Sequence, residues 1–85
     1  MSFNKWKTKT MHALMLLAQK YQDQPKKRAT IDYLINKLRY LRSRDLPTFL
    51  FSLHYAINDV PELREIIPTT EEIEKMLEED ERDDN

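Results

Sequence analysis

An all-α fold follows from three features of this 85-residue chain. Apolar side chains recur at steps of three and four residues, the spacing that gathers them on one side of an α-helix. Glycine is absent, so the chain lacks the easiest residue for tight hairpin turns and for loops that let a phosphate approach bare backbone. β-rich folds and glycine-loop nucleotide folds both lose ground. The prolines, at positions 25, 47, 61 and 68, stand at the edges of the periodic stretches, where a helix tolerates them or ends.

The first helix is predicted over residues 4–22, with Met11, Leu14, Met15, Ala18 and Tyr21 as its inward side. Asp23-Gln24-Pro25 breaks it, and Pro25 suits the first turn of a second helix expected to reach residue 43. Ile31, Leu34, Ile35, Leu38 and Leu41 give that helix the clearest periodicity in the chain. Asp45 is positioned to cap a third helix over 46–59, whose apolar face is Leu46, Phe49, Leu50, Leu53, Ile57 and Val60. A short helical turn is expected after Pro61, ending before Pro68. Thr69 or Thr70 caps a last helix, with Glu71 and Glu72 favourably placed against its dipole. The expected architecture is a small bundle of three main helices plus a short acidic C-terminal helix, forming one domain over residues 1–77. Residues 78–85 are almost wholly charged and are expected to form an acidic, extended and disordered tail.

Composition narrows the function. With 40% apolar and 34% charged residues the chain is balanced to fold, but its length permits only a small core, so a partner or a second copy would add stability. The absence of cysteine excludes disulfides and thiolate metal sites and favours a reducing compartment. Lys5, Lys7 and Lys9 precede an apolar run at 13–18, but the run is shorter than a signal-peptide core and no small-residue cleavage site follows. A cytoplasmic protein is predicted.

Charge is segregated far more than the net value of −1 suggests. Residues 1–44 hold 11 Lys and Arg against Asp23 and Asp32, a net of +9, whereas residues 45–85 hold three basic and 13 acidic residues, a net of −10. Such a dipole can steer a charged partner, pair with another copy, or lay the acidic tail over the basic half. The competing reading is that the mixed charge merely keeps the protein soluble.

Two surfaces are candidates. On the second helix Lys26, Thr30, Tyr33, Lys37, Tyr40 and Arg44 follow steps of four and three, a basic stripe with interleaved aromatics. Lysine and arginine neutralise phosphates and tyrosine stacks on bases, so this stripe has the chemistry of a nucleic-acid surface, although no recognition-helix or RNA-binding signature accompanies it. Tyrosines in such a place also simply pack against neighbours with a wet hydroxyl. The third helix, past Asp45, has no charged residue through Asn58, and Phe51 and Tyr55 point away from its main apolar face. Those two rings either fill a second side of a central helix or form an interface with another protein or another copy.

Other chemistry finds no support. His12 and His54 stand on different helices, neither three or four residues from a carboxylate or another histidine, so no metal is expected. The carboxylates crowd the tail, where solvent keeps them ionised, and no serine has a nucleophile setting. Trp6 with Phe3 is read as a cap over the core, in preference to a membrane-surface anchor. The expectation is a non-enzymatic regulatory or adaptor protein that binds another protein and self-associates, with no cofactor, membrane or small-molecule substrate. The alternative is a nucleic-acid-binding protein that uses the second helix and is moderated by its acidic tail.

Overall fold

The computed structural model describes the backbone of residues 2–83 and side chains through residue 78. It is all-α: helices α1 (Phe3–Lys20), α2 (Pro25–Arg39), α3 (Leu46–Ala56) and α4 (Thr70–Asp83) are joined by 3₁₀ segments at Ser43–Asp45 and Pro61–Ile66. No strand occurs among the described residues.

Capping explains most of the boundaries. Ser2 opens α1 by accepting the Lys5 N–H on its Oγ at 3.2 Å, a cap the apolar pattern does not reveal. Pro25 occupies the first turn of α2, as expected. Asp45 precedes α3 but does not cap it through its side chain; its carboxylate lies 3.8 Å from Arg42 Nε instead. Thr69 and Glu72 form a reciprocal capping box on α4. Thr69 Oγ1 accepts the Glu72 N–H at 3.2 Å, and Glu72 Oε1 accepts the Thr69 N–H at 3.0 Å. These bonds, the backbone one foremost, hold the Glu72 carboxyl below its ordinary pKa. Helix α4 is longer than α3 and takes in residues 78–83, where extended chain is expected from sequence; Asp84 and Asn85 lie outside the described residues.

Helix α2 ends at Arg39, four residues before the expected position 43. The reason lies in the reversal that follows. Helix α3 already begins at Leu46, and turning an antiparallel helix back on its predecessor takes several residues outside the α-helices. Tyr40 to Asp45 supply them, with Arg42 fully extended at ψ 156°. Leu41 stays buried, and its carbonyl accepts from Lys7 Nζ at 2.9 Å, tying this turn to α1.

The core is the predicted set of stripes with additions. Leu14, Ile31, Leu34, Leu38, Leu46, Leu53, Val60, Leu63 and Met76 are fully buried. Trp6 is buried and meets the Phe49 ring edge-on at 6.1 Å, so the ring closes the core, as expected of a cap. Met15 departs from expectation: it is 55% exposed. The buried line of α1 is Trp6, Thr10, Leu14 and Ala18, and at about 100° per residue Met15 falls outside that sector.

A polar cluster fastens the Pro61–Ile66 segment to the end of α1. Lys20 Nζ donates to Glu62 Oε2 at 2.8 Å, and the Tyr21 hydroxyl donates to the same oxygen. The two donors, Lys20 first, pull the Glu62 carboxyl down to about 2, while accepting by Glu62 pushes the Tyr21 hydroxyl up.

Candidate functional site

Among the described residues six large apolar or aromatic side chains are exposed: Met15, Leu16, Tyr33, Tyr40, Phe51 and Tyr55. The last four share one face, and helix packing explains why. Ile31, Leu34 and Leu38 turn α2 inward, so Tyr33 and Tyr40 stand on its outer flank. Phe49, Leu50, Leu53 and Ala56 turn α3 inward, leaving Phe51 and Tyr55 outward.

Two adjoining grooves run between α2 and α3. One, of about 540 Å³, is lined by Tyr33, Phe51, Ser52, Tyr55 and smaller neighbours including Ala29 and Thr30, with Leu34 and Ala56 between them. The other, of about 500 Å³, is lined by Asn36, Lys37, Tyr40, Asp45 and Thr48, and shares Tyr33 and Ser52 with the first. Ala29, Thr48 and Ser52 leave the space between the rings. Sequence reasoning passes over them because small residues on an outer face carry no periodic signal.

The grooves also fix the direction of the two helices. The N-terminal half of α2 faces the C-terminal half of α3, and the C-terminal half of α2 faces Asp45 and Thr48 at the start of α3. The hairpin is therefore antiparallel. Lys26 and Asp59 lie together in a hollow at one end, and Lys37 and Asp45 line the groove at the other. Thr30 Oγ1 donates to Asp59 Oδ2 at 3.5 Å, and Lys37 Nζ lies 5.6 Å from the centre of the Tyr33 ring, a cation–π contact.

The two sequence candidates thus meet on one surface. Tyr33 from the basic stripe and Phe51 and Tyr55 from the third helix line the same groove. Phe51 and Tyr55 are 73% and 75% exposed, so they do not serve as the second buried side of a central helix. Lys26, Tyr33, Lys37 and Tyr40 follow the face, whereas Arg44 leaves it. Because α2 stops at Arg39, Arg44 sits in the 3₁₀ turn and lines a hollow with Phe3, Asn4, Lys7 and Arg42 at the start of α1. The expected stripe is shorter by that residue.

Elsewhere, His12 and His54 are both exposed, on α1 and α3. Among the described residues no cluster of three or more His, Cys, Asp or Glu is arranged to hold a metal ion, and no helix is long and apolar enough to cross a membrane. Compared with known proteins, the chain matches no family model, no curated protein and no solved structure.

Proposed function

We propose that this is a small, non-enzymatic regulatory or adaptor protein of the cytoplasm that works by binding protein through the α2/α3 face. One observation carries the reading: four aromatic side chains, each more than half exposed, are gathered on a single grooved surface of an 85-residue chain. Exposed aromatic clusters are costly in water and mark contact surfaces, where tyrosine and phenylalanine supply much of the binding energy. The cysteine-free composition supports a reducing compartment.

The test compares Phe51→Ala and Tyr55→Ala with a control pair, Met15→Ala and Leu16→Ala, whose side chains are exposed but line neither groove. Association with protein, including self-association, should fall at least tenfold for the first pair and little for the second, with helicity by circular dichroism kept in both. Equal effects of the two pairs would reject the face.

A second reading rests on the Lys37 ammonium over the Tyr33 ring with Lys26 and Tyr40 on the same face, a pairing of cation and stacking ring that suits single-stranded nucleic acid. Asp45 and Asp59 in the same grooves weigh against a phosphate backbone there. Nucleic-acid binding predicts affinity that falls steeply with salt and rises when residues 78–85 are removed; no binding at low salt by either form would retire it.

A further inference from the structure

We infer that the occupant of the α2/α3 face is a second copy of this chain, docked about a two-fold axis parallel to the two helices, with α2 of each copy over α3 of the other. The inference rests on the proposed role of this face and adds the partner and its orientation.

Charge selects the orientation. Along α2 the face carries Lys26 at one end and Lys37 at the other; just beyond the two ends of α3 stand Asp59, in the hollow with Lys26, and Asp45, in the groove with Lys37. At the first end the α2 side also holds Lys27 and Asp23, so each end has a net cation on the α2 side and an anion on the α3 side. A face-to-face dimer closes by a two-fold lying in the interface, so the same patch must complement itself. With the axis parallel to the helices, the patch is mirrored left to right, so that Lys26 meets Asp59 of the second copy and Lys37 meets its Asp45. With the axis across the helices, α2 lies on α2 instead. Lys26 then faces Lys37 and Asp45 faces Asp59, four like-charge encounters across the dimer that oppose association. Among the described residues, Lys26, Lys37 and Asp59 belong to none of the three ion pairs, and the one ion-pair contact of Asp45 is the 3.8 Å approach to Arg42.

The area agrees with this occupant. Taking about 200 Å² for a whole aromatic side chain, exposures of 52% for Tyr33, 75% for Tyr40, 73% for Phe51 and 75% for Tyr55 leave about 550 Å² of ring surface to cover. A standard interface buries about 800 Å² per partner. The rings alone supply some two-thirds of it, and the lysine stems with Ala29, Asn36 and Thr48 supply the rest. In the chosen orientation Tyr33 of each copy lies against Phe51 and Tyr55 of the other.

The test is sedimentation equilibrium of the full chain and charge-reversal variants, with circular dichroism to confirm folding. Wild type should dimerise. Lys37→Asp alone and Asp45→Lys alone should each weaken the dimer about tenfold, since each disturbs two symmetry-related pairs, and the Lys37→Asp/Asp45→Lys double variant should recover most of the loss. The Lys26→Asp/Asp59→Lys pair repeats the cycle without touching the start of α3. A dimer tightened by Lys37→Asp alone would establish the crossed axis and overturn the inference. Failure of both double variants to recover would overturn it too, while leaving the face itself in place if Phe51→Ala still abolishes association. A wild type that stays monomeric yet captures a different protein through Phe51 overturns the second copy as occupant and keeps the proposed function. A dimer indifferent to Phe51→Ala overturns both.

Discussion

Phe49 and Phe51 are two residues apart on the same helix and have opposite environments: 3% exposed against 73% exposed. Their truncations should therefore separate folding from binding. Phe49 is packed among buried leucines and meets Trp6 edge-on at 6.1 Å, so Phe49→Ala removes a buried ring and leaves a cavity, a change that costs about 3–5 kcal/mol. A chain of this length has roughly 4–13 kcal/mol of stability in all. At about 4–8 °C per kcal/mol for a domain of this size, the midpoint of thermal unfolding should fall by about 12 °C or more, or the variant should not fold. Phe51→Ala removes a ring that is mostly in water. It should change monomer stability by no more than about 0.5 kcal/mol, less than about 4 °C, and alanine is the better helix former of the two. Association should show the reverse order, with Phe51→Ala losing at least about 1.4 kcal/mol, some tenfold in the dissociation constant. Melts followed at 222 nm at the lowest workable concentration keep association out of the folding measurement, and sedimentation supplies the binding measurement. Comparable melting losses for the two variants would refute the assignment of Phe51 to the outer face.

The Glu62 cluster should be visible as pH dependence. Its carboxyl titrates at about 2 in the folded chain against an ordinary value of about 4.3, so the stabilisation is fully present above the unfolded value and is lost as pH falls from there toward 2. The gap in melting temperature between wild type and Glu62→Gln should be constant near neutrality and close progressively below about pH 4.5; a gap unchanged at pH 3 would remove Lys20 and Tyr21 as its cause. Thr69→Ala takes the acceptor from the α4 capping box and should cost about 1 kcal/mol, read as faster amide exchange at the start of α4 with α2 and α3 unaffected. Unchanged exchange there would mean that burial of Met76, and not the cap, holds α4 in place. Lys7→Met removes the donor to the Leu41 carbonyl and should loosen the turn between α2 and α3, seen as raised exchange at residues 41–45; equal exchange in variant and wild type would show the contact to be dispensable.

Local periodicity sufficed for the class of fold, the number of helices and nearly all of the inward residues, because whether a side chain can turn toward a core depends on its own neighbours at three and four residues. Pro25, and Thr69 with Glu72, placed their helix starts for the same local reason. Phe51 and Tyr55 were legible as set apart from the main apolar side of α3, and Lys26, Tyr33, Lys37 and Tyr40 as a flank of α2. Their union into one grooved face was not, since it depends on which turn of α2 lies beside which turn of α3, and that register comes from packing between residues far apart in the chain. The same long-range geometry ended α2 at Arg39 and carried Arg44 off the face, because chain length consumed by a reversal is dictated by where the next helix must lie. Tertiary structure thus brought two separate surface readings onto a single grooved face, with Asp45 and Asp59 set near the lysines of α2 by the antiparallel pairing of the two helices.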